Sequence, residues 1–149
     1  MSATAVSDRA LAIGLERLVS LIRRLAPPSS ISLTAASTLA TLMADGPLGI
    51  SDLAAREGVT QPGMTQLVSR LEGQGLARRS GHAADRRVVL VGITAAGRQL
   101  MADRRALRAE QLSLLLDQLP ADDRDAIATA LPGLTRLTEL AATEPVQHA

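Results

Sequence analysis

A three-residue junction, Gly58-Val59-Thr60, constrains the fold of this chain more than any other stretch. Before it, Ser51 or Asp52 is positioned to open a short helix, Leu53 to Glu57. Gly58 closes that helix, because glycine readily takes the left-handed conformation favoured just past a helix C-terminus. After the junction, Thr60 has a hydroxyl that can cap the next helix, and Pro62 falls in the first turn, where a missing N–H costs little. Gly75 ends this second helix. A short helix, a tight turn and a second helix in that order are the layout of a helix-turn-helix.

The second helix has two unlike faces. Met64, Leu67, Val68 and Leu71 fall at i, i+3, i+4 and i+7 and form its apolar stripe. At about 100° per residue, the opposite face carries Pro62, Thr65, Gln66, Ser69, Arg70 and Gly73. That face offers hydrogen-bonding groups, one cation and no bulky apolar side chain, which suits a groove lined with donors and acceptors such as the DNA major groove. Taken alone, such a face is more often simply solvated, so the neighbouring residues decide.

Leu76-Ala77-Arg78-Arg79-Ser80 reads as a strand, residues 81–85 have turn chemistry, and Arg86 through Ile93 reads as a returning strand. A hairpin directly after a helix-turn-helix makes a wing, and four arginines, Arg78, Arg79, Arg86 and Arg87, concentrate on it. Charge on a hairpin can also serve only to keep an exposed edge from aggregating. The charge distribution favours the other use. Residues 1–59 hold five arginines against five acids, residues 60–108 nine against three, and residues 109–149 two against seven. The positive segment begins at the polar-faced helix and points to a polyanionic partner.

The remainder reads as helices with apolar stripes. Residues 8–25 place Leu11, Leu15, Leu18, Val19, Ile22 and Leu25 at helical spacing, with Ile13 and Leu21 widening the stripe enough to suggest burial against a second subunit. After Pro27-Pro28-Ser29-Ser30, Thr34 is the expected cap of a helix through Met43, ended by Asp45-Gly46-Pro47. Leu48-Gly49-Ile50 is too short for an independent strand but can add to a small sheet. Thr94 is the expected cap of a long helix to about Leu119. A last helix carries Ile127, Leu131, Leu134, Leu137 and Leu140, with Pro132-Gly133 expected to kink or split it and a frayed tail from Thr143. Phe, Tyr and Trp are all absent although 46% of the residues are apolar, so the core must be aliphatic, which favours packed helices over a β-sandwich.

Several function classes drop out. Without cysteine there is no disulfide, thiolate metal site or thiol chemistry, and the two histidines, His82 and His148, do not form a ligand pair. No paired catalytic carboxylates, nucleophile–base motif or phosphate-cradling glycine loop is recognisable, so neither an enzyme nor a cofactor or metal is expected. The N-terminus lacks signal-peptide character, and the longest uncharged run, Leu25 to Ala44, is interrupted by prolines and rich in Ser and Thr. A cytoplasmic protein with no membrane partner is the expectation. The alternative to DNA binding is a winged module whose basic hairpin meets an acidic protein.

Residues 33–97 resemble the MarR family of winged helix-turn-helix transcriptional regulators. The resemblance is carried by Leu33-Thr34, by Gly46-Pro-Leu-Gly-Ile-Ser-Asp-Leu-Ala54, and by Gln61-Pro-Gly-Met-Thr-Gln-Leu-Val-Ser-Arg-Leu-Glu72 with Gly75-Leu-Ala-Arg-Arg79. It continues in Asp85-Arg86-Arg87 through Leu90 and Ile93-Thr94 to Gly97. It implies a mainly α fold with a small β wing (α+β), and three parts: an N-terminal dimerisation helix in residues 1–32, a DNA-binding lobe in 33–97 and C-terminal dimerisation helices in 98–149. It further implies a homodimeric repressor on a palindromic double-stranded DNA operator, with release by a small aromatic or amphipathic effector as in many members. The expected recognition-helix residues are Thr60, Gln61, Pro62, Gly63, Thr65, Gln66, Ser69 and Arg70. On the wing they are Arg78, Arg79, Asp85, Arg86 and Arg87, with Arg87 in the minor groove and Asp85 orienting it. The chain departs from the family pattern at Ser69, where Asp is frequent, and at Gly73, where a basic residue is frequent.

Overall fold

The computed structural model describes residues 7–25, 31–81 and 89–143. The chain divides into two compact units, Met1–Ala109 and Glu110–Ala149. The first holds helices α1 (Asp8–Arg24), α2 (Leu33–Asp45), α3 (Ile50–Arg56) and α4 (Gln61–Gly73), strands β1 (Leu48–Gly49), β2 (Ala77–Gly81) and β3 (Val89–Ile93), and most of α5 (Ala95–Leu116). The second holds the end of α5 and α6 (Ala121–Thr143).

The helix-turn-helix forms where expected, and its two ends share one device. Gly58 follows α3 at φ 63°, with its own N–H on Ala55 O and the Val59 N–H on Ala54 O at 3.0 Å. Gly75 follows α4 at φ 71°, with its N–H on Glu72 O at 2.9 Å and the Leu76 N–H on Leu71 O at 2.8 Å. This double closure satisfies carbonyls that a helix end leaves orphaned and turns the chain sharply, and only glycine takes that φ without strain. At the start of α4, Thr60 Oγ1 accepts the Gly63 N–H at 3.3 Å, as its capping role requires, with Pro62 in the first turn.

The three strands form one antiparallel sheet in the order β1-β3-β2. Leu48 and Gly49 do add to it, opposite Val91 and Leu90. The hairpin register runs from Ala77 opposite Ile93 to Gly81 opposite Val89. The turn between these strands, with His82, lies outside the described residues.

A single aliphatic core joins these elements. Leu39 and Leu42 of α2, Leu53 of α3, Met64, Val68 and Leu71 of α4, and Val91 of β3 are fully buried. Each removes most of its apolar surface from water, at about 25 cal/mol per Å². Thr38 is buried among them, and its hydroxyl donates to Thr34 O at 2.9 Å, so no polar group is stranded there. The stripe Met64, Leu67, Val68 and Leu71 is the buried face of α4, as its spacing requires.

Several boundaries differ from the sequence expectation, among them that of β2, which begins at Ala77 and takes in Gly81 from the expected turn. The cap of α2 is Ser32, whose Oγ accepts the Ala35 N–H at 3.2 Å, rather than Thr34. Helix α3 starts at Ile50, straight out of β1, with Gly49 at the cap position and no side-chain cap, so neither Ser51 nor Asp52 opens it. Helix α5 ends at Leu116, three residues short of Leu119. Helix α6 runs unbroken through Pro132-Gly133 and is not split. The cap at Thr94 is as expected, since its Oγ1 accepts the Gly97 N–H at 3.0 Å. The tail beyond Thr143 lies outside the described residues.

Candidate nucleic-acid interface

With its apolar stripe buried, α4 turns the other side outward. Thr60, Gln61, Pro62, Gly63, Thr65, Gln66, Ser69, Arg70 and Gly73 are all exposed. The structure therefore brings every expected recognition-helix residue onto one accessible surface. Gly63 has a local reason to be there, because a Cβ would lie 3.1 Å from Thr60 Oγ1 and press on the cap. Among the aliphatic residues of the helix, none interrupts this surface.

Strand β2 follows at once and supplies the neighbouring cations. Arg78 is exposed, while Arg79 is half-buried and engaged. Its backbone N–H donates to Glu72 Oε1 at 2.8 Å, and its Nη1 pairs with Glu72 Oε2. Nη2 donates to Ser69 Oγ at 3.2 Å and to Thr65 O at 3.3 Å. The hydroxyls on α4 are themselves directed, with Thr65 Oγ1 donating to Gln61 O at 2.9 Å and Ser69 Oγ to Thr65 O at 3.0 Å. Asp85, Arg86 and Arg87 lie outside the described residues.

Two elements of this arrangement escape a reading of the sequence. Glu72 looks like an ordinary surface acid on a helix, and only the turn at Gly75 brings it against β2, seven residues on. Thr94 is the other. Beyond capping α5, its hydroxyl donates to Gly75 O at 2.6 Å, and its N–H donates to Leu76 O at 3.1 Å. The end of the recognition helix is thus tied to the start of α5. Glycine at 97 permits this closeness, since a Cβ there would stand 2.3 Å from Leu76 O and 2.7 Å from Ile93 Cγ1. Opposite charges on either side of a helix stop, or a Thr–Gly pair nineteen apart, belong to no single helix or strand and give no local signal.

An exposed polar helix held by a buried stripe, preceded by a tight turn and followed by an antiparallel hairpin, defines a winged helix-turn-helix of the DNA-binding kind. Comparison with known proteins narrows the class. The MarR family model matches residues 31–89. The chain is 36% identical over 124 residues to an uncharacterized HTH-type transcriptional regulator of Mycobacterium leprae, covering 83% of this chain and 85% of that one. A Bacillus subtilis relative, the HTH-type transcriptional repressor MdtR, is 33% identical over 84 residues, 54% of each chain. Among solved structures, the transcriptional regulator Tm0710 of Thermotoga maritima superposes with a TM-score of 0.79 at 21% identity, over 92% of this chain and 99% of that one. The chain belongs to the MarR family of transcriptional regulators. No described helix is long and apolar enough to cross a membrane.

Proposed function

We propose that this chain is a homodimeric, cytoplasmic repressor without catalytic activity, which reads a palindromic DNA operator and releases it on binding a small organic anion. The observation that carries the reading is the outward face of α4. It gathers Thr60, Gln61, Thr65, Gln66, Ser69 and Arg70 on a helix whose other side is locked into the core. These groups would meet base edges and phosphates, Arg78 a phosphate, and Arg86 and Arg87 the minor groove beside Asp85. A structure with the same fold, that of a mutant of S. aureus MepR, is bound to an oligodeoxyribonucleotide. Repression is supported by the name of MdtR.

Dimerisation is supported by exposed apolar residues on the outer helices, Leu18 and Val19 on α1 and Leu131 and Leu137 on α6. An effector is supported by a cleft of about 300 Å³ between α2 and α5, lined by Ala40, Met43, Ala44, Met101, Arg105 and Arg108. Methylene and thioether walls with two guanidinium groups suit a small anion with an apolar body. BpsR of Bordetella bronchiseptica, which shares the fold, is regulated in its DNA binding by 6-hydroxynicotinic acid.

Selection of bound sequences from random duplexes tests the reading, repeated with candidate anions. One preferred sequence with two half-sites about 10 base pairs apart is expected. Binding that is indifferent to sequence, or a single unpaired half-site, counts against it. On the selected duplex, Arg87→Ala should cost about 1–3 kcal/mol in a titration; undiminished affinity would remove Arg87 from the interface.

A further inference from the structure

We propose that Arg79 and Glu72 are positioning residues that fix the hydrogen-bonding sense of Ser69 on the α4 face, so that it presents an acceptor to the groove and selects a base bearing an amino group. The proposal rests on the DNA-reading function above and adds which base chemistry that face accepts.

A guanidinium has five donors and no acceptor. Since Arg79 Nη2 lies 3.2 Å from Ser69 Oγ, the oxygen must accept on that side, and the Ser69 proton goes elsewhere. It goes to Thr65 O, 3.0 Å away on the preceding turn. A hydroxyl has one proton and two lone pairs. With the proton and one lone pair spent, Ser69 faces outward with a single lone pair. Thr65 also donates to its own helix, to Gln61 O at 2.9 Å, but Arg79 meets its carbonyl and not its hydroxyl. The Ser69 hydroxyl therefore has no donor left for a phosphate, for guanine N7 or O6, or for thymine O4. In the major groove, the donors that an outward lone pair can meet are adenine N6 and cytosine N4.

Glu72 makes this arrangement hold. Its Oε1 takes the Arg79 backbone N–H at 2.8 Å and its Oε2 takes Nη1, so one carboxylate fixes both the strand and the guanidinium. Ion-paired hydrogen bonds of this kind are about twice as strong as neutral ones. To reach a phosphate, Arg79 would have to leave Glu72, Ser69 and Thr65 together. The sequence ranks Arg79 with Arg78 among the wing arginines, whereas the geometry separates them: Arg78 is exposed and Arg79 is held against α4.

The test is selection from random duplexes with full-length wild type, Ser69→Ala, Arg79→Met and Glu72→Gln, together with affinity against salt. The base position whose preference Ser69→Ala erases should be adenine or cytosine in wild type, by about tenfold over guanine and thymine. Arg79→Met should lose most of that preference, because the Ser69 proton is freed to turn outward, and Glu72→Gln should weaken it in the same direction. The slope of log affinity on log salt should stay unchanged in Arg79→Met, while Arg78→Met lowers it by about 0.9 per chain. A guanine or thymine preference at that position overturns the proposal. So does a Ser69→Ala variant that erases no position, or an Arg79→Met variant that keeps the preference and loses about 0.9 of slope. Should both network variants fail to fold, the wild type and the exposed Ser69→Ala still decide it. A wild type that selects no duplex overturns the DNA-reading function itself, and this proposal with it.

Discussion

The winged lobe and the outer helices use their apolar residues in opposite ways. In the lobe, Leu39, Leu42, Leu53 and Leu71 are sealed from water by one another and by Met64, Val68 and Val91. On α1 no described residue is buried, and on α6 Leu131 is 55% and Leu140 63% exposed. Both regions are amphipathic by sequence. The difference is that the lobe has turns sharp enough to fold its stripes against each other within a few residues, at Gly58 and Gly75. The outer helices are single long segments whose stripes stay largely exposed, with Leu15, Leu21 and Ile22 on α1 and Leu134 on α6 partly covered. Exposed apolar surface of that extent marks an interaction site, so the lobe is built to be complete and the outer helices to be completed.

The largest expected effect breaks the second half of that contrast. Leu131→Arg combined with Leu137→Arg on α6 should leave the lobe folded and shift the species in sedimentation from two chains to one. Operator affinity should fall by about 10²–10⁴, since two linked half-site contacts become independent. Unchanged mass and affinity would mean that α6 does not join two chains. Next in size is truncation within the lobe: Leu39→Ala should cost about 2–5 kcal/mol in urea titration, independent of protein concentration. The same deletion at Leu131 should change stability by less than about 0.5 kcal/mol in dilute single chains, and by more only where copies associate. Equal losses at both sites would erase the distinction.

A smaller effect probes how the lobe is tied to α5. Gly97→Ala puts a methyl group 2.3 Å from Leu76 O, a backbone atom that cannot swing aside as a side-chain tip can. Overpacking of this kind costs about 1–3 kcal/mol. Because Leu76 follows directly on the glycine that ends α4, the same variant should bind operator more weakly than its stability loss explains. Normal binding at normal stability would show that the junction has more room than its geometry implies.

How legible each part was follows from the range of the interactions behind it. The α4 face was readable because its stripe, its cap at Thr60 and its stop at Gly75 all act within four residues. The wing was readable from its arginines and turn residues. The Glu72–Arg79–Ser69 network was not, because it forms only after the chain has turned. At Pro132-Gly133 a kink or a split of α6 is the expectation, and the split does not occur. Proline in a helix frees the carbonyl four residues before it, here Ala128, and in a packed core that loss is severe. Every described α6 side chain except Leu134 is exposed, so solvent can satisfy that carbonyl and the helix continues.

The smallest prediction concerns the start of α2, where two hydroxyl residues compete for one role. Ser32 and Thr34 both stand near the point where the chain enters the lobe, and both are good capping types. A cap must have extended backbone and must reach an N–H two or three residues on. Ser32 does both, at φ −68° and ψ 165°, with its Oγ 3.2 Å from the Ala35 N–H. Thr34 is already inside the helix, and it is its carbonyl that matters, taking the hydroxyl proton of buried Thr38. Ser32→Ala should therefore cost about 1 kcal/mol in thermal or urea unfolding. Thr34→Ala keeps that carbonyl and trades a threonine for a better helix former, so it should be neutral or slightly stabilising. The reverse order would restore the boundary that the sequence suggests.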